Sequence, residues 1–294
     1  MNHAYLIITH NNFEQLQLLI NLLDDDRNDI FIHIDKKVKE LPLLTTNKSK
    51  LFILDKRIDV RWGDVSQLET EIILFETAIK HGQYEYYHLI SGMDLPIKSN
   101  DYIHNFFKIN KGKEFVGFSE ADPKRLKWNV YYHHLLTRHY RQKNILMKVV
   151  FKITRAVLET IANTFIRHNT TIDLKKGPQW VSITQEFCSY IIARKVELLK
   201  FYKNTRCCDE IFIQTLLWNS PFRNNIYNTE DEFKGCMRLI DWKRGRPYVF
   251  GKEYELDKKL IVSSKYLFAR KFDIKKFPDM VTFVVNMINN KQNE

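Results

Sequence analysis

Within its first hundred residues the chain alternates short runs of β-branched and aromatic residues with longer stretches of helical spacing. Nothing else in the sequence restricts the fold as much. Residues 5–9, 30–34, 51–54 and 86–90 read as strands. Residues 14–23 carry Leu16, Leu18, Leu19, Leu22 and Leu23 at helical intervals, and residues 66–80 carry Leu68, Ile72, Phe75 and Ile79. Ser66 is the expected N-cap of the second helix, with Glu69 completing a capping box. Strands that read as continuous apolar runs are buried on both faces, and their alternation with helices implies a mostly parallel sheet covered on each side. The expected fold is therefore α/β and Rossmann-like. In such sheets ligands sit beyond the carboxyl ends of the strands. That rule singles out Thr9-His10-Asn11-Asn12, Asp35-Lys36-Lys37 and Ser91-Gly92-Met93-Asp94-Leu95-Pro96-Ile97-Lys98.

Later segments are less regular. Helices are expected at residues 184–200, 209–217 and 279–289, and a strand at 237–240. Residues 146–167 form a long amphipathic helix with Val149, Val150, Ile153, Val157, Ile161 and Phe165 on its apolar face; Lys148, Lys152, Arg155 and Arg167 make it basic. Such a helix most often packs its apolar face on the core; the sharper alternative is a helix lying on an anionic membrane. With no repeat or linker, residues 1–294 read as one domain with a helical insertion near 124–170.

Composition narrows the partners. A formal net charge of +11 at pH 7 favours anionic ligands: nucleic acid, an anionic membrane or a phosphate-bearing substrate. The basic residues are dispersed, without a concentrated stripe or a nucleic-acid motif, so a nucleic-acid-binding protein is the rival class rather than the first reading. Cys188, Cys207, Cys208 and Cys236 fit neither a zinc pattern nor a disulfide framework, and His133, His134 and His139 do not have zinc spacing. The acidic run Asp24-Asp25-Asp26 precedes the second strand and reads as a solvated loop. The N-terminal apolar run lacks a basic flank and is too short for a signal peptide or a span. The expected location is cytoplasmic, with peripheral contact at the inner membrane face.

The segment Ser91–Lys98 resembles the signature of the core-2/I-branching β-1,6-N-acetylglucosaminyltransferases, glycosyltransferase family 14, which also holds peptide O-xylosyltransferases. The likeness extends to Tyr5-Leu6-Ile7-Ile8-Thr9-His10, Ile30-Phe31-Ile32-His33-Ile34-Asp35-Lys36-Lys37, Trp62-Gly63, Gly177-Pro178-Gln179-Trp180-Val181-Ser182-Ile183-Thr184, Asp209-Glu210-Ile211-Phe212 and Tyr266-Leu267-Phe268-Ala269-Arg270-Lys271-Phe272-Asp273, in the same order. It implies a GT-A-like fold and inverting transfer from a UDP-sugar to a glycan or lipid-linked saccharide. N-acetylglucosamine is the expected sugar, xylose the alternative, in the synthesis of a cell-surface polysaccharide or glycolipid of a bacterial-type member.

Site residues follow from the same resemblance. Glu210 matches the catalytic base, which takes the acceptor hydroxyl proton; Asp209 is expected to complement a helix N-terminus. Asp35, His10, Lys271 and Arg246 are the donor-binding candidates, with Arg244 the alternative to Arg246. Asp94, Glu120, Gln179, Trp180 and Trp242 are the sugar- or acceptor-binding candidates. No metal is expected, because fixed cations can balance the charge on the leaving diphosphate. The animal enzymes carry an N-terminal anchor and disulfides that have no counterpart at matching places here.

Overall fold

The computed structural model describes residues 2–139, 145–162 and 171–292. In chain order the first half holds β1 (His3–Thr9), α1 (Phe13–Leu23), β2 (Asn28–Ile34), β3 (Lys50–Ile53), α2 (Ser66–His81), β4 (Tyr86–Ser91), β5 (Asp94–Pro96), α3 (Asn100–Ile109), α4 (Pro123–Tyr131) and α5 (Ile145–Ala162). The second half holds β6 (Ser182–Thr184), α6 (Gln185–Ala193), α7 (Lys195–Tyr202), α8 (Phe212–Trp218), α9 (Glu232–Cys236), β7 (Arg238–Ile240), α10 (Tyr254–Ser263), β8 (Phe268–Arg270) and α11 (Pro278–Gln292).

The main sheet has the order β3-β2-β1-β4-β6. Its first three pairings are parallel and β4–β6 is antiparallel, with His88 opposite Ser182. A smaller sheet has the order β5-β8-β7, in which Asp94 lies opposite Arg270. The fold is thus the mixed, mostly parallel α/β arrangement that the strand-and-helix alternation predicts.

Alternating side chains of each central strand feed two cores. Ala4 and Leu6 of β1, Phe31 of β2 and Tyr87 and Leu89 of β4 pack with Leu68, Ile72 and Phe75 of α2 and with α6 and α8. Tyr5 and Ile7, Ile30 and Ile32, and Tyr86 and Ile90 pack on the other side with α1, α3 and α11. Double burial explains why these strands lack the polar alternation of a half-solvated sheet.

Several local expectations change. Ser66 is the first residue of the second helix rather than its N-cap: Val65 holds that position without a side-chain cap bond, Asp64 Oδ1 accepts from Ser66 N at 3.1 Å, and Ser66 Oγ accepts from Arg61 N. The helix expected at 184–200 breaks at Arg194 into α6 and α7. The acidic run is a loop, as expected, but only Asp26 is fully exposed: Asp24 accepts from the backbone N–H groups of Asn47, Lys48 and Ser49, and Asp25 pairs with Arg27 at 2.7 Å. Phe165 and Arg167 lie outside the described residues, as do all of residues 140–144 and 163–170 of the expected insertion. Among the described residues no helix is long and apolar enough to cross a membrane.

Candidate active site

The turn after β4 is stitched to the segment after β8. Gly92 has ordinary backbone angles, but a Cβ there would come within 2.7 Å of Thr9 Oγ1, so glycine lets the end of β4 lie against β1. The N–H of Phe272 donates to Met93 O at 2.9 Å. Buried Gln15 of α1 bonds both sides of this junction: its Nε2 donates to Gly92 O at 3.4 Å and to Phe272 O at 3.2 Å, and its Oε1 accepts from Ile274 N at 2.8 Å.

Asp94 is buried in this junction. Its carboxylate accepts from Ser91 N at 2.9 Å and from Arg270 at 2.7 Å. Arg270 also donates to Ser91 Oγ, and its guanidinium lies 4.3 Å from the centroid of the Trp180 ring. Asp94 is therefore bonded inside the protein and only 1% exposed. Trp180, only 9% exposed, is covered by Arg270 rather than open to a ligand. The site holds Trp180 as the platform on which Arg270 rests.

Lys271 follows Arg270 directly. Its ammonium is held below the usual lysine value, first by partial burial and then by Arg270, while Asp94 and Asp273 oppose the shift. His10 lies within reach of the same charges. Partial desolvation lowers its pKa, Asp35 opposes this, and Lys271 and Lys37 add to it. Asp35, 4% exposed at the end of β2, accepts from Lys37 N at 2.8 Å and from Lys37 Nζ at 2.7 Å. A cleft of about 610 Å³ opens here, lined by His10, Asn11, Asn12, Lys37 and Lys275 among others. The carboxyl ends of β1 and β2 thus carry a basic cleft with one buried carboxylate, placing Asp35, His10 and Lys271 in one neighbourhood.

Glu210 belongs to a second neighbourhood. It closes a short 3-10 turn at Cys208–Glu210, opened by Cys207 with φ 52°. The N–H of Gly177 donates to Glu210 O at 2.9 Å, fixing the backbone. Gly177 must be glycine: a Cβ would sit 1.9 Å from Gly117 O. The Glu210 side chain is 37% exposed and pairs with Lys176 at 3.0 Å. Lys176 O accepts from Ser119 N, so the segment bearing Glu120 runs beside it. A cleft of about 510 Å³, lined by Ser119, Ala121, Lys127, Tyr131, Asp173 and Lys176 among others, lies along this edge. Glu120 itself is exposed.

Asp209, by contrast, is turned inward. It does not cap a helix, since α8 begins only at Phe212. Its Oδ2 accepts from Gln67 Nε2 of α2 at 2.8 Å, and its Oδ1 has no partner. Burial, then the neighbouring Glu210, raises its pKa well above the aspartate range. Glu71 of α2 is fully buried beside it and raised for the same first reason, then by Asp209; its Oε1 accepts from Gln179 at 2.8 Å. Gln179 is thereby committed to this buried acid pair. Sequence spacing alone marks neither Glu71 nor Gln67, because both fall on the core face of an amphipathic helix.

The two arginine candidates part cleanly. Arg244 is enclosed by Asp241 at 2.6 Å, Asp257 at 2.9 Å and Glu253 at 3.4 Å, and lies over the Tyr248 ring. Arg246 is exposed, and among the described residues no ion pair holds it. Trp242 is 49% exposed, a face open to stacking. Among the described residues no group of three or more His, Cys, Asp and Glu side chains is arranged to hold a metal ion.

Exposed carboxylate, clustered cations and strand-end clefts are the equipment of an enzyme acting on polar, anionic substrates, and comparison with known proteins makes the class specific. The chain belongs to the core-2/I-branching enzyme family, whose model matches residues 3–261. It is 23% identical over 296 aligned positions to N-acetyllactosaminide β-1,6-N-acetylglucosaminyl-transferase of Mus musculus, covering 94% of this chain and 69% of that protein. The Homo sapiens protein of the same name is 24% identical with the same coverage. Xylosyltransferase 2 of Rattus norvegicus is 23% identical over 92% of this chain, which spans only 32% of that longer protein. The protein is a glycosyltransferase acting on a sugar donor and a glycan acceptor.

Proposed function

We propose that the protein transfers a sugar, N-acetylglucosamine in the first reading, from a UDP-sugar to a glycan hydroxyl with inversion and without a metal ion. The observation that carries this is the contrast between two adjacent acids. Asp209 is buried without a cation, whereas Glu210 is half-buried, held at its backbone and paired with Lys176. A general base must lie within reach of solvent-borne substrate, and Glu210, with its side chain 37% exposed, does. As the acceptor oxygen attacks the anomeric carbon, Glu210 takes its proton, and the bond from that carbon to the diphosphate oxygen breaks. Negative charge then grows on UDP. Lys271 and Arg246 supply fixed positive charge for it, and Asp35 and His10 take the uridine side. Trp242 and Glu120 contact the acceptor sugar, while Asp94, Gln179 and Trp180 act by holding the groups around them. The xylosyltransferase relatives support a second reading, with UDP-xylose as donor.

The test is UDP release across a panel of UDP-sugars, with and without a chelator. Glu210→Gln should lower turnover by about 10²–10⁴-fold while UDP binding by calorimetry is retained. Undiminished turnover in that variant overturns the base assignment; a requirement for added divalent metal overturns the metal-free reading; the preferred donor decides between the two sugars.

A further inference from the structure

Helix α5 is mounted with its amphipathicity inverted. Phe151, Arg155 and Glu159, spaced four residues apart, are its half-buried side chains. Glu159, the helix's single carboxylate, is withdrawn against His134 Nδ1 at 3.5 Å and Arg155 Nε at 3.4 Å. The opposite arc is apolar and faces outward: Leu146 is 72% exposed, Ile153 61%, Val157 55% and Ile161 66%, with Val149 and Val150 nearly half exposed. A helix that packs on its own core does the reverse. Lys152 is exposed on the flank between the inward stripe and the apolar arc, and Lys148 is exposed one turn before it, in line with the stripe. The outward surface therefore combines aliphatic side chains with positive charge, its one negative charge having been turned in.

We propose that α5 is a membrane-docking helix that lies in the headgroup region of an anionic bilayer. At 1.5 Å per residue its 18 residues run for about 27 Å. That is a suitable length for a helix lying in the plane of an interface, and this helix does not qualify as a span. A bilayer accepts a straight aliphatic arc without a fitted groove, and anionic headgroups match the lysines beside it. The chain's +11 net charge acts in the same direction. Phe13, Leu18 and the other partly buried apolar residues elsewhere pack against a core; α5 has eight exposed large apolar residues in sixteen positions, Leu146 to Ile161, with Met147 and Leu158 at the margin of the arc.

The experiment is co-sedimentation of the full chain with phosphatidylcholine vesicles, with and without phosphatidylglycerol. The wild type should partition onto the anionic vesicles and not onto the neutral ones, less strongly as salt rises. Ile153→Glu combined with Val157→Glu should lower that partition by about tenfold or more, with an unchanged circular dichroism spectrum. Lys148→Glu with Lys152→Glu should weaken binding and flatten its salt dependence. Equal or absent binding of the wild type to both vesicle types overturns the proposal, as does full binding by either double variant. A wild-type dimer in sedimentation equilibrium that the Ile153/Val157 variant dissociates, with no vesicle binding, assigns the face to a second copy instead.

Discussion

The Asp94–Arg270 pair offers a quantitative test of the reading that the Ser91–Lys98 segment is architecture. The Asp94 side chain is 2% exposed and Arg270 is 16% exposed, with 2.7 Å between them. Arg270→Leu would leave a buried carboxylate without its cation. Breaking such a pair costs about 3–5 kcal/mol. Asp94 keeps the Ser91 N–H bond at 2.9 Å, which pulls the expectation toward about 3 kcal/mol. Loss of the Trp180 contact adds about 0.5–2 kcal/mol. Asp94→Asn should cost about 1.5–3 kcal/mol, because Ser91 N and Arg270 bond different carboxylate oxygens and an amide accepts through only one of the two positions. In the double variant neither charge is stranded, so its cost should fall short of the sum by about 2 kcal/mol. Urea unfolding at constant m-value reads all three numbers. A cost below about 1 kcal/mol for Arg270→Leu, or strict additivity, would refute the view that this pair carries the junction.

Other substitutions separate neighbours with different jobs. Arg244→Ala strips three carboxylates of their partner and should lower the urea midpoint, whereas Arg246→Ala should leave the midpoint unchanged and weaken UDP binding in calorimetry. Gly177→Ala drives a Cβ into Gly117 O and should cost about 1–3 kcal/mol, with turnover falling because Glu210 is anchored there. Asp209→Asn should keep most activity, unlike Glu210→Gln. Because folding raises the Asp209 pKa, the native state holds the extra proton: wild-type stability relative to Asp209→Asn should fall as pH rises from about 4, measured by urea midpoints. The histidines have the opposite sign. Burial lowers His3 and His88 well below the usual value, and lowers His104 to about 4, so their contribution is complete above about pH 6.5 and is lost as pH falls through the folded values. Unfolding midpoints should drop between about pH 6.5 and pH 4, and the drop should be shallower in His104→Asn.

Strands β1, β2 and β4 were legible because double burial leaves an unmistakable apolar run, β3 showed as a short apolar run although only partly buried, and three of the site motifs were legible because they sit at strand ends. What the sequence withheld was pairing across long separations. Arg270 is 176 residues from Asp94, and no local pattern announces that the two meet. The same holds for Gln67 and Asp209, 142 residues apart. The strands β5, β6 and β8 are three residues each, too short to show a period. The orientation of α5 was hidden for another reason: periodicity shows that a helix has an apolar face but not which way that face is turned.

That distinction between residue type and environment also explains how one Asp-Glu pair serves two ends. In sequence Asp209 and Glu210 are equivalent acids. The left-handed turn at Cys207 and the backbone bond from Gly177 aim them in opposite directions. Desolvation dominates for Asp209, since neither it nor Glu71 meets a cation in the core, and a carboxyl group in that setting takes up a proton. Two buried acids that stay neutral add no negative charge behind Glu210. Among the described residues Lys176 then pairs with no second carboxylate, and its charge is left to Glu210. An ionised Asp209 would compete for the same lysine and repel the acceptor-bound base form. Burying the first acid of the pair is what makes the second one available.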